Sequence, residues 1–138
     1  MSNQNKAVVQ RFYDLLNQRD WEHMTEVMDA NVIDYNPSPG QGAGLAGVIE
    51  ALKGFVNSFP DMQVTTKDLI AEGDKVVVRG EMHGTHQGNF LGAPPTGKSV
   101  TMSAIDCYQL RDNRIITASH LEDTVGVMAQ LGMLSPAQ

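Results

Sequence analysis

The chain has 138 residues, enough for one domain over 1–138 and too few for a second. Its 10 basic and 16 acidic residues give a net charge of -6, and no basic cluster exceeds an isolated pair, so neither nucleic acid nor a membrane surface is an expected partner. A lone cysteine, Cys107, excludes an intrachain disulfide, and with no signal-like apolar stretch behind the first residues a cytoplasmic location is expected.

Val8, Val9, Phe12, Tyr13, Leu15 and Leu16 recur at helical spacing and predict a helix over 5–18. Asp20 is placed to cap a short second helix whose buried stripe is Trp21, Met24, Val27 and Met28. Residues 31–36 read as a strand entering the loop Pro37-Ser-Pro-Gly-Gln-Gly-Ala-Gly. A third helix is expected over 45–58, with Val48, Leu52, Phe55 and Val56 on one side and Pro60 ending it.

From Asp61 the period changes to two. Strands at 62–71 and 75–83 are joined by Glu72-Gly73-Asp74, and strands at 98–111 and 114–122 by Asp112-Asn113. The span 84–97, with Pro94 and Pro95, is expected to be irregular, and a last helix covers 124–131. Helices first and strands afterwards define an α+β chain: a strongly curved antiparallel sheet with three to four helices across it, enclosing one pocket.

Candidate functional residues cluster late in the chain. Counting by two from Ile115 puts Thr117, Ser119, Leu121 and Asp123 on one enclosed face, where an aspartate would have a raised pKa suited to proton transfer. The competing role for Asp123 is to cap the helix that follows it. His120 falls on the opposite face with Ala118 and Glu122, and a twist or bulge near the strand end would turn it inward beside Asp123. In the preceding strand the apolar phase switches near residue 104, which predicts a bulge there and leaves Asp106 facing either pocket or solvent. Of Asp34 and Asn36, at the end of the first strand, one is expected to reach the pocket. Arg79 is expected to pair with Asp61, Asp68 or Glu81, the alternative being a substrate anchor. Phe12, Tyr13, Met24, Met28, Phe55, Phe59, Met82 and Met102 are the expected lining. The four histidines form no HxH or HxxxH pair, so no metal site is expected.

The run Gly84-Thr-His-Gln-Gly-Asn-Phe-Leu-Gly-Ala-Pro-Pro-Thr-Gly-Lys98 resembles the signature loop of the SnoaL-like polyketide cyclases. Phe59-Pro60-Asp61, the hairpin Ala71–Arg79, and Asp123 ahead of Gln130-Leu131-Gly132 lie in matching order, so the resemblance spans roughly 5–134. Ser119 stands where the family usually has tryptophan, and Tyr35-Asn36 where it commonly has histidine. The resemblance implies a nuclear-transport-factor-2-like (NTF2-like) cone and a cofactor-free enzyme that closes a ring by intramolecular aldol condensation. Asp123 would be the acid/base. Beside what the resemblance implies, His120 is a candidate to assist it, and Tyr13, Asn36, Phe59, Met82, His86 and Asp106 are candidates to meet a polyketide-like or other enolisable carbonyl substrate, while the competing job of His86 is to hold the signature loop by hydrogen bonds. The resemblance also implies a homodimer or higher homo-oligomer. A non-catalytic carrier of small hydrophobic ligands, and an isomerase or hydratase using Asp34 or Asp106, are the alternatives on the same cone. A pocket of about 300–1,000 Å³ shared by Tyr13, Phe59, Met82 and Asp123 is expected.

Overall fold

The computed structural model describes residues 2–134. Helix α1 (Ser2–Gln18) buries Val9, Phe12, Tyr13, Leu15 and Leu16, the stripe read from the sequence. It stops in a Schellman geometry: Arg19 N–H bonds Leu16 O at 3.0 Å and Asp20 N–H bonds Leu15 O at 2.9 Å. Arg19 takes the left-handed position at φ 60, which ordinarily favours glycine. Its guanidinium offsets that strain by donating to Leu16 O, Pro60 O (3.0 Å) and Met62 O (2.8 Å), which ties the end of α1 to the chain entering the sheet.

The expected second helix is a single 3-10 turn, Glu22–Glu26, and Val27 and Met28 lead directly into strand β1 (Met28–Asp34). Asp20 stands one residue before the cap position and accepts from His23 N–H at 3.2 Å. Helix α2 (Gly44–Ser58) follows, then β2 (Gln63–Glu72), β3 (Lys75–Thr85), β4 (Ser99–Arg111), β5 (Arg114–Glu122) and helix α3 (Thr124–Gln130).

The sheet order is β1-β5-β4-β3-β2. The four strands from β2 to β5 run antiparallel as expected, while β1 joins in parallel beside β5, making the sheet mixed. The β4–β5 turn holds Asp112 at φ 52 and Asn113 at φ 62, the two left-handed residues that let a tight hairpin follow the strand twist. Arg79 on β3 pairs with Asp68 on β2 at 2.7 Å, one of its expected partners. Helix α1 lies across β2 and β3, α2 packs on β1, and α3 on β4, which gives the NTF2-like cone.

Three register shifts shape the sheet among the described residues. One lies in β1 between Met28 and Ile33, one in β2 between Thr66 and Asp68, and the third opposes Gln109 and Leu110 of β4 to Thr117 and Ile115 of β5, leaving Ile116 unpaired. The expected bulge near residue 104 does not occur. The register of β4 with β3 runs unbroken from Lys75↔Gln109 to Thr85↔Ser99, and Val100, Met102, Ala104, Asp106, Tyr108 and Leu110 all point inward.

The first turn of α2 rests directly on the preceding loop. A Cβ added at Gly47 would lie 1.7 Å from Gly42 O, so only glycine fits. Gly47→Ala is expected to destabilise by about 1–3 kcal/mol, the usual cost of overpacking, outweighing alanine's helix preference. A lowered midpoint in urea melts checks this.

Candidate functional site

The concave face of the sheet and the two long helices line a cavity of about 130 Å³, half-open to solvent and smaller than expected. Phe12 and Leu16 of α1, Val48, Leu52 and Phe55 of α2, and Met28, Met62, Met82 and Met102 form its apolar wall. The polar end collects Tyr13, Asp34, Asp106, Tyr108, His120 and Glu122, with Ser38 and Gln41 contributed by the loop before α2.

Asp106 is 8 % exposed and faces this cavity from the middle of β4. Its Oδ2 accepts from the Tyr13 hydroxyl and, at 3.4 Å, from the Tyr108 hydroxyl, while the two phenol oxygens are 2.7 Å apart. Among the described residues its Oδ1 has no donor, and it is not sealed off, so it opens to the cavity. Burial pushes the Asp106 carboxyl up to about 6; the nearby Glu122 charge adds to the rise, and the Tyr13 bond and the His120 charge oppose it. Burial likewise holds both tyrosines well above the ordinary phenol value.

Opposite Asp106 across the β4–β5 ladder stands His120. Nδ1 meets Glu122 Oε1 at 2.6 Å and Nε2 meets Asp34 Oδ1 at 2.8 Å. Both partners are acceptors, and a neutral imidazole has only one N–H, so the doubly bonded ring is the imidazolium. The Glu122 bond is the main reason its pKa rises to about 9, with the Glu122 and Asp34 charges adding to it against partial burial. Asp34 is itself fixed by Asn36 N–H at 2.9 Å and the Gln41 amide at 3.0 Å.

Several expected residues lie elsewhere. Asp123 is exposed, and its Oδ1 accepts from Gly126 N–H at 2.9 Å as the N-cap of α3. It does not line the cavity, because the bulge at Ile116 moves Thr117, Ser119, Leu121 and Asp123 off the inward face and brings Ala118, His120 and Glu122 onto it. Phe59 is fully buried in a cluster with His86 (5.8 Å between ring centres) and Phe90 (5.2 Å), away from the cavity. His86 pins the signature loop rather than a ligand: its Nδ1 accepts from Thr96 N–H at 3.2 Å, and its backbone pairs with Gly97 and Lys98. Asn36 lies outside the cavity, its Oδ1 accepting from the His120 backbone N–H at 2.8 Å. Met24 is core. Tyr13, Met82, Asp106 and His120 do line the cavity.

Glu122 and Tyr108 are site residues that the sequence reading passed over. The even-numbered alternation from Val100 to Leu110 carried the signal for Tyr108, whereas nothing in the sequence marks the bulge that turns Glu122 inward.

The sequence matches the SnoaL-like polyketide cyclase family over residues 6–131, and the chain belongs to that family. No curated protein sequence matches it. Among solved structures it resembles IdmH of Streptomyces antibioticus, described as a candidate polyketide cyclase, at 28 % identity and TM-score 0.85, covering 94 % of this chain and 99 % of that one. TsrD of Streptomyces laurentii is 26 % identical with TM-score 0.87, covering 96 % and 97 %. AclR of Streptomyces galilaeus, described as a candidate hydroxylase, has TM-score 0.86 over 100 % of this chain and 87 % of that one, and at 23 % identity it speaks to the fold alone. Among the described residues no helix is long and apolar enough to cross a membrane.

The ion triad carries a pH signature. A raised histidine pKa contributes stability that is fully present below its ordinary value near 6.5 and is lost as pH rises through about 9. His120→Gln is therefore expected to be less stable than the parent at about pH 6 and to approach it at about pH 10, as urea melts at the two pH values would read.

Proposed function

We propose that this chain closes a ring in an enolisable, polyketide-like carbonyl substrate by an intramolecular aldol step, with Asp106 as the acid/base. The observation that carries the reading is a buried carboxyl, raised to about 6, with one oxygen held by phenols and the other open to an apolar cavity. Asp106 Oδ1 would take an α-proton, and the C–H electrons pass to the carbonyl as an enolate. The enolate carbon then attacks a ketone of the same molecule, and the new alkoxide recovers the proton from Asp106. Tyr13 and Tyr108 hold the carboxyl in one orientation, and the His120 cation offsets part of the negative charge that Asp34, Glu122 and Asp106 together place at this end of the cavity. The apolar wall holds the ring-sized part of the substrate that enters, and fixing the reacting carbons beside Asp106 supplies proximity.

A second reading is isomerisation on the same cavity, with Asp106 returning the proton to another carbon. The volume of about 130 Å³ favours it, since a space of that size suits a single ring. Product analysis by mass and NMR separates the two.

Asp106→Asn is expected to lower turnover of an accepted substrate by about 10²–10⁴, the usual contribution of a general acid/base, while Asp123→Asn leaves it intact. The parent kcat/KM should rise with pH through about 6 as Asp106 ionises and fall through about 9 as His120 loses its proton. Undiminished turnover in Asp106→Asn would remove this residue from the mechanism.

We propose further that the chain pairs with a second copy through the outer face of the sheet. Ile105 and Leu121 sit opposite one another there, 51 % and 72 % exposed, with Val77 and Ile33 on the same face. A dimer mass in sedimentation equilibrium that Leu121→Lys reduces to the monomer is expected; a monomeric parent overturns it.

A further inference from the structure

The charge at the polar end of the cavity is lopsided. Asp34, Asp106 and Glu122 line it, and among the described residues no lysine or arginine does. His120 is the single cationic group, and both its N–H donors are already committed to Asp34 and Glu122. Glu81, also in the lining, directs its carboxylate to Lys67 at 3.2 Å. With the triad carrying one net negative charge before Asp106 is counted, an anionic ligand would enter a field of its own sign.

The vacant hydrogen-bonding capacity has the same bias. Among the described residues Asp106 Oδ1 and Glu122 Oε2 take no donor, and both belong to side chains on the inward face of neighbouring strands. Both are acceptors. A ligand hydroxyl or enol can donate to them, which a carboxylate cannot; the donors a carboxylate needs are the Ser38 hydroxyl and the second Gln41 amide N–H, on the more exposed loop before α2. The wall beyond them is aliphatic, methionine and aromatic, and the cavity volume of about 130 Å³ is close to that of apolar cavities known to hold a benzene ring.

We infer that the polar end of this cavity accepts one uncharged, hydroxyl-bearing ring and rejects the same ring bearing a carboxylate. The inference rests on the cavity being the substrate site of the proposed function. It adds a substrate class: the group that enters first is neutral and donor-rich, and a free acid on the substrate must lie away from the polar end. Such selection works through repulsion of the wrong ligand as much as attraction of the right one.

Isothermal titration of the full chain with meta-hydroxyacetophenone and meta-hydroxybenzoate, at about pH 7 and low salt, tests this. The two probes differ in shape by little more than a methyl group against an oxygen, and in charge by one. The ketone is expected to bind at least about tenfold more tightly than the benzoate. Glu122→Gln, which keeps the bond to His120 and removes one charge, is expected to shrink that ratio at least about threefold. Equal affinities, tighter benzoate, absent ketone binding, or a ratio unmoved by Glu122→Gln each overturn the inference. The readout is binding alone. Selective binding without turnover would uphold it while refuting the aldol reading, and turnover without selectivity would do the reverse.

Discussion

One unpaired residue in β5 determines the chemistry of the whole concave face. Leu110 pairs with Ile115 and Gln109 with Thr117, so Ile116 is left over and the alternation of β5 reverses beyond it. Without that bulge, Thr117, Ser119, Leu121 and Asp123 would look into the cavity and His120 and Glu122 would look out. With it, His120 faces Asp106 directly and Glu122 faces Ala104, while Leu121 becomes an exposed outer-face residue and Asp123 is free to cap α3. The bulge also lets Ile115 stay in the core beside Leu110, so the lower part of the strand keeps its packing. Both halves of β5 are inward-facing in the right places because the chain changes phase between them.

Placing a carboxyl in that cavity is unfavourable, and the surroundings show how the cost is divided. A buried polar group left unsatisfied costs about 1–3 kcal/mol, more if charged. Two phenols relieve one oxygen of Asp106, and the opposing imidazolium relieves part of its charge, yet burial still dominates and the pKa stays raised. The fold thus holds Asp106 where its proton is exchangeable near neutral pH. His120 is handled in the opposite way, clamped between two carboxylates that keep it charged. Neighbouring strands therefore present one group that titrates readily and one that does not, the separation that acid/base work requires.

The sequence made the periodic parts of this architecture readable and the aperiodic ones opaque. Strand β5 has the expected limits, 114–122, and the turns at Gly73 and Asp112-Asn113 lie where their residue types place them. The even alternation of β4 was present too, but Ile105 and Cys107 disguised it: both are apolar and both point outward, which mimics a phase switch. The real switch, in Ile115-Ile116-Thr117, is silent because all three residues are ordinary strand formers and no glycine marks the bulge. Pairing partners are equally unwritten. Nothing local to 28–34 says that this strand will lie parallel to one more than eighty residues away.

The signature loop shows why a family match and a site need separate arguments. His86 is the residue in that loop most suggestive of chemistry, yet it is fully buried, and its Nδ1 and backbone hold Thr96, Gly97 and Lys98 in place. Ser58 at the end of α2 bonds the same loop through its hydroxyl to Asn89 O at 2.7 Å, and its carbonyl accepts from Gln87 and Gly88. Phe59 and Phe90 then seal the junction. A loop so constrained fixes the position of α2 against the sheet, and α2 carries Val48, Leu52 and Phe55 of the cavity wall. The motif that identifies the family is thus a structural clasp, whereas the residues able to move a proton sit on strands whose pattern is far less distinctive. Fold is legible from the clasp; reaction depends on which side chains the bulge turns inward.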